Sequence, residues 1–94
     1  LNGGFTLNLN NYRDEAETFL KKLGVQNETL DIKISMLEEE LNLLKKAGNN
    51  QDLLKHQIYD MLFILFEIAS DYNFDLEEEW MKGRIRKDEK YITK

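Results

Sequence analysis

Apolar positions recur at spacings of three and four along most of the chain, which is the pattern of helices that each bury one face. The densest run is Gln57-Ile-Tyr-Asp-Met-Leu-Phe-Ile-Leu-Phe66, and it holds a single charge, Asp60. Ile58, Met61, Leu65, Ile68 and Tyr72 follow one another at +3, +4, +3 and +4, while Leu62, Phe63, Ile64, Phe66 and Ala69 fill the other faces. A helix apolar all round belongs inside a bundle or at a subunit interface. A lone carboxylate there is costly unless something compensates it, so what surrounds Asp60 bears directly on function.

Taken in order, the pattern predicts an extended arm over 1–10 and then four helices. The arm is rich in Gly and Asn, and its short alternation Phe5, Leu7, Leu9 has no partner strand in the sequence. A first helix begins at Asn10 or Asn11, carries the stripe Tyr12, Ala16, Phe19, Leu23, and ends in Lys21, Lys22 and Gly24, a basic last turn before a glycine stop. A second begins at Asn27, with the acids Glu28 and Asp31 in its first turn. Leu30, Ile34, Leu37, Leu41 and Leu44 form its stripe, and Lys45, Lys46 and Gly48 close it. The link 48–50 is short enough to make the second and third helices antiparallel neighbours. Asn49 or Asn50 caps the third helix, which runs to about Tyr72; Asp75, with Glu78 three residues on, resembles a capping box for a fourth. Beyond Lys82 the pattern turns polar, and a loosely held tail is expected there.

Composition narrows the options. Ninety-four residues suit one small domain, and the absence of Pro suits an all-helical one. With no Cys there is neither a disulfide scaffold nor a thiolate metal site, which accords with a cytoplasmic protein. The longest charge-free apolar run, 61–66, falls far short of the roughly 20 residues of a membrane span. Net charge is −5, unevenly spread: residues 1–81 carry 7 basic and 16 acidic side chains, residues 82–94 carry 6 and 2. An acidic body argues against a nucleic-acid polymer as partner, whereas a basic tail beside it suits a ligand that brings both a cation and phosphate. A chain this short buries only about 60–65% of the surface its unfolded form exposes, so self-association is expected.

Two pairs of polar residues interrupt the apolar surroundings. Glu39 and Asn42 share a face of the second helix, Gln57 and Asp60 a face of the third. In an antiparallel hairpin both pairs can face one cleft, and bundle cores build oxygen-ligand metal sites in this way. Glu39 and Asp60 would supply carboxylates for Mg²⁺, and the amide oxygens of Asn42 and Gln57 weaker neutral ligands.

Here the chain resembles a known family. Leu37-Glu-Glu-Glu-Leu-Asn-Leu-Leu-Lys-Lys-Ala47, a short loop, Leu54-Lys-His-Gln-Ile-Tyr-Asp-Met-Leu-Phe63 and Ala69-Ser-Asp-Tyr-Asn-Phe-Asp-Leu-Glu-Glu78 are similar to the MazG-like all-α nucleotide pyrophosphohydrolases. The resemblance extends over roughly 30–91. It implies a single helical domain over 11–94, an antiparallel bundle of about four helices that assembles as a dimer or tetramer. It also implies Mg²⁺-dependent cleavage of a nucleoside triphosphate to monophosphate and pyrophosphate. The family pattern is E-x-x-E on one helix and E-x-x-D on the next. Glu39 matches the first Glu and Asp60 the Asp, which assigns the catalytic roles to them; Asn42 and Gln57 stand where the other two Glu belong. Lys82 and Arg86, with Arg84, Lys87 and Lys90, supply phosphate-binding charge without the family's spacing.

Two carboxylates in place of four leave one metal instead of the pair that clamps attacking and leaving oxygens. The expected enzyme therefore has low or altered activity, with weak Mg²⁺ binding that nucleotide assists. The alternative on the same scaffold is a non-catalytic helical module that binds nucleotide or a protein partner. Each residue also has a plainer reading. Glu39 and Asp60 can be paired across an interface, and His56, four before Asp60, is either a substitute ligand or a surface hydrogen bonder. Glu67 and Asp71 repel at i,i+4 unless a cation lies between them. Trp80 serves as a packing anchor or, with Tyr91, as a base-stacking surface.

Overall fold

A computed structural model describes residues 8–25 and 28–92. Within them the chain forms α1 (Leu9–Leu23), α2 (Leu30–Ala47), α3 (Gln51–Asp71) and α4 (Leu76–Tyr91), with no strand among the described residues. The all-α expectation holds.

Local chemistry starts and stops each helix. Asn8 caps α1 by accepting from the backbone N–H groups of Asn10 and Asn11, and the Asn11 side chain accepts from Asn8 N–H in return. The helix therefore starts earlier than Asn10, and the last two residues of the expected arm are helical; residues 1–7 lie outside the described ones. Gly24 ends α1 at φ 75°, where Val25 N–H reaches back to Leu20 O at 3.1 Å. This left-handed stop costs a glycine no Cβ strain. Thr29 caps α2 through Ile32 N–H; the expected cap, Asn27, lies outside the described residues. Asn50 caps α3 through Leu53 N–H and Asp75 caps α4 through Glu78 N–H, as their spacing predicts. At the end of α3, Asn73 takes the left-handed conformation at φ 53°, and Phe74 N–H returns to Ala69 O at 3.0 Å. Beyond Lys82 the expected loose tail is instead a continuation of α4 to Tyr91. Arg84–Asp88 and Lys82–Glu78 pairs, both at i,i+4, lie along it.

The hairpin of α2 and α3 is the centre of the molecule. Lys33 meets Asp71 at one end and Glu40 meets Asp60 farther along, a descending register that makes the helices antiparallel. The buried residues of the two helices are Lys33, Ala47, Gln57, Ile64, Glu67 and Ala69. Helix α1 lies on one side of the hairpin. Phe19 sits edge-on to Phe63 with centroids 5.4 Å apart, and Tyr12 lies 6.0 Å from Phe66. Of the stripe expected to bury α1, Ala16 is buried; Leu20 joins it, while Tyr12, Phe19 and Leu23 stay partly exposed.

Helix α4 packs mainly on α1, and none of its residues is buried. The junction is polar and reciprocal. Asn10 Oδ1 accepts from Leu76 N–H at 2.8 Å, Glu77 Oε1 accepts from Leu9 N–H at 2.9 Å, and Asn10 Nδ2 donates to Asp75 Oδ1 at 3.0 Å. Each helix N-terminus thus has one of its open N–H groups satisfied by the other helix. The Asn10 amide and the Glu78 N–H hold the Asp75 carboxyl below the usual carboxylate range. Arg13 adds a bond to Phe74 O at 2.6 Å.

Candidate functional site: a polar seam between α2 and α3

The faces that α2 and α3 turn toward each other carry charge as well as hydrocarbon. On α2 they present Lys33 and Glu40; on α3 they present Gln57, Asp60, Glu67 and Asp71 at +3, +7 and +4. The helical repeat places all four α3 residues in one row. The seam divides into two clusters about two turns apart.

The first cluster is held by Lys33. Its side chain is fully buried, and Nζ donates to Asp71 Oδ2 at 2.6 Å. Glu67, 4% exposed, lies within the field of the same ammonium. Burial pushes the Glu67 carboxyl above its ordinary value; Lys33 opposes that shift, and Glu28 and Asp71 add to it. The cation that the Glu67/Asp71 pair requires is a lysine from the neighbouring helix. No reading of the sequence had placed Lys33 in the core. The available signal was its position three before Met36 and seven before Glu40, in a row that continues through Leu44 to Ala47.

The second cluster lacks a buried cation. The carboxyl groups of Glu40 and Asp60 lie within hydrogen-bonding reach of each other. Burial is the main cause that raises the Glu40 carboxyl above its ordinary value, followed by the charge of Asp60 and the hydrogen bond to it. His56 opposes the shift: its Nε2 stands 2.9 Å from Asp60 Oδ2, at the exposed edge of the cluster. One turn before Asp60, Gln57 is 8% exposed. Oε1 of Glu40 and Oε1 of Gln57 are both buried without a hydrogen-bond partner among the described residues, as is Oε1 of Glu67 in the first cluster. The two carboxyls open on a pocket of about 360 Å³ whose walls include Phe19, Met36, Tyr59 and Phe63.

The structure brings half of the expected set together. Gln57 and Asp60 face the seam, but of the four only Asp60 lines the pocket; Gln57 is buried one turn before it, and Glu39 and Asn42 are solvent-exposed. Among three consecutive glutamates it is Glu40 that turns inward. The helix advances 100° per residue, and the row Lys33, Glu40, Leu44, Ala47 takes the inner face in place of a row through Glu39. Lys82 lies on α4, paired with Glu78 at 2.9 Å, and Arg86 lines a surface hollow on the same helix with Trp80 and Tyr91. Neither residue borders the pocket in one chain. The hydrogen bond and charge of Glu78, with the charge of Glu79, raise the exposed Lys82 ammonium above its ordinary value.

Mg²⁺ is commonly held by one or two carboxylates completed by substrate phosphates. Glu40 and Asp60 are two carboxyls of the kind such an ion takes, and Gln57, one turn before Asp60, does not line their pocket. The two carboxyls do not fit a two-metal site, and no group of three or more His, Cys, Asp or Glu side chains able to hold a metal is assembled among the described residues. No family model, curated protein or solved structure matches the chain. No described helix is long and apolar enough to cross a membrane.

Proposed function

We propose that the chain is a MazG-like nucleotide pyrophosphohydrolase scaffold of low activity, which converts a nucleoside triphosphate to monophosphate and pyrophosphate with one Mg²⁺ bound jointly by protein and nucleotide. The observation that carries this reading is the Glu40–Asp60 carboxyl pair facing an aromatic-walled pocket of about 360 Å³. That volume is at the lower end of small-molecule sites. Phe19, Tyr59 and Phe63 offer faces on which a base can stack. Glu40 takes the role assigned from sequence to Glu39, and Asp60 keeps its own. When bound, the ion would supply charge neutralisation for the phosphates. Lys82 and Arg86 would have to reach the phosphates from outside the pocket. Self-association and a cytoplasmic location belong to the same proposal.

A second reading, a non-catalytic helical module, is favoured by Lys33. Its buried ammonium pairs with Asp71 across the seam, which gives the acids at that end a structural partner within the chain. Calorimetry with a nucleoside triphosphate separates the two. The first reading expects binding that requires Mg²⁺ and is lost in both Glu40→Gln and Asp60→Asn, together with slow pyrophosphate release. Binding of equal strength in chelator, or none at millimolar nucleotide, removes the first reading and leaves the second.

A further inference from the structure

We infer that the hollow on α4 is a docking site for an acidic segment of a partner protein. Helix α4 is tied to α1 by hydrogen bonds at Leu76 and Glu77, and none of its residues is buried. The hollow has a volume of about 670 Å³ and runs from Glu79 to Tyr91, about 18 Å along the helix axis. Trp80 and Tyr91, 62% and 63% exposed, stand toward its two ends, and Gly83 lies between them. A Cβ at Gly83 would meet one side-chain atom, Arg86 Nη2, at 3.4 Å. A mid-helix glycine weakens a helix relative to alanine, and here no conformational reason calls for one, since Gly83 has no positive φ. What the missing side chain provides is room for a second backbone to come close. Tryptophan and tyrosine beside such room are residue types that anchor protein–protein contacts.

Charge identifies the occupant. Arg86, Lys87 and Lys90 line the hollow, and none of them has an ion-pair partner among the described residues. Arg84, beside them, is paired with Asp88 at 3.1 Å. Lys90 Nζ lies 5.2 Å from the Tyr91 ring centroid, so this cation meets an aromatic face instead of a carboxylate. The chain has a net charge of −5, yet these three cations find no acid within it, and an acidic occupant is the complement they lack. The occupant is a protein segment because the attraction is local. Taken whole, α4 carries five acids (Glu77, Glu78, Glu79, Asp88, Glu89) against five bases (Lys82, Arg84, Arg86, Lys87, Lys90), and Glu79 lines the hollow itself. A phosphate backbone or an anionic bilayer presents one sign over its whole length and gains nothing from a helix of zero net charge. A peptide can place its acids against the three cations and a donor against Glu79. The hollow shares no residue with the Glu40–Asp60 pocket.

Trp80 is the chain's only tryptophan, so its fluorescence reports on this hollow alone. The test titrates the full chain, without nucleotide or metal, with a tryptophan-free helical peptide of Glu and Ala with one terminal Lys. A peptide of about twelve residues spans the hollow at 1.5 Å per residue. Saturable protection of Trp80 from acrylamide quenching is expected, lost at about 1 M salt, where the screening length is roughly 3 Å. Lys87→Glu combined with Lys90→Glu should weaken binding about tenfold or more. Lys45→Glu combined with Lys46→Glu, the same charge change at the exposed end of α2, should leave it unchanged. Gly83→Leu should weaken it too, and because leucine favours the helix, that loss cannot come from unfolding of α4. Three results would each overturn the inference: no protection at millimolar peptide, binding that survives Lys87→Glu with Lys90→Glu and Gly83→Leu, or stronger protection by oligothymidylate or phosphatidylserine vesicles than by the peptide.

Discussion

The two ends of the α2–α3 seam are built from the same helices and the same kind of residue, yet they are completed differently. At one end Asp71 receives a lysine ammonium from across the interface, and Glu67 lies in the field of that ammonium although its Oε1 has no hydrogen-bond partner among the described residues. At the other, Glu40 and Asp60 face each other with His56 at the solvent edge, and the Oε1 atoms of Glu40 and Gln57 are buried with no donor among the described residues. Charges out of water need a counter-charge and a full set of hydrogen bonds. One end finds its cation within the chain; the other is short of one. That difference makes the Glu40 end the place to look for a ligand and the Lys33 end a structural element.

The largest expected effect lies at the completed end. Lys33→Met should cost about 3 kcal/mol in urea unfolding, the lower part of the range for breaking a buried pair, because Asp71 is 30% exposed and remains partly solvated. Adding Asp71→Asn should recover a large part of the loss. A Lys33→Met protein as stable as the parent would mean that the two ends do not differ as described.

The next effect sharpens the comparison at the open end. Gln57→Glu places a third carboxylate one turn from Asp60, and in chelator it should lower stability by about 1–3 kcal/mol. Millimolar Mg²⁺ should restore it, since an ion that binds only the folded chain stabilises it by mass action. Asn42→Glu, on an exposed position, should do neither. Melting curves of both variants in chelator and in Mg²⁺ measure this. If Gln57→Glu melts identically in the two, the open end is not a cation site.

A smaller effect tests the carboxyl pair through pH. Burial raises the Glu40 carboxyl above its ordinary value of 4.5. A carboxyl raised on folding contributes stability that is present below that ordinary value and is lost as pH rises through the folded one. Glu40→Gln should therefore melt higher than the parent at neutral pH, and the advantage should vanish near pH 4, where the parent is protonated as well. Glu67→Gln should behave with the same sign, as Glu67 is raised too. A Glu40→Gln advantage that grew on acidification would contradict this assignment.

The smallest effect belongs to His56. It is mostly exposed, so His56→Ala should change unfolding stability by less than about 1 kcal/mol. A loss of several kcal/mol would instead make His56 the missing cation and erase the contrast between the two ends.

Helix positions were legible from residue spacing because short-range forces set them. Gly24, Gly48, Asn50 and Asp75 act on backbone groups within a few residues, and each stands at the boundary it predicts. Asp60 could be singled out because one charge in an apolar run has few harmless explanations. The continuation of α4 was not legible: its support comes from i,i+4 ion pairs and a docked N-terminus, not from an apolar stripe.

By itself, then, the sequence determined four helices, a hairpin at 48–50 and Asp60 as an acid set into the apolar third helix. Only the tertiary structure decided how those helices are rotated. Helix α2 has apolar residues on more than one face, so periodicity allows Glu39 or Glu40 to point inward, and packing against α3 selected Glu40. The pairing of Lys33 with Asp71, 38 residues apart, and of Asn10 with Leu76, 66 apart, was decided in the same way. A charge or an amide carries no mark of the distant group that will satisfy it. That choice rests on which buried polar atoms the packed helices bring within hydrogen-bond distance.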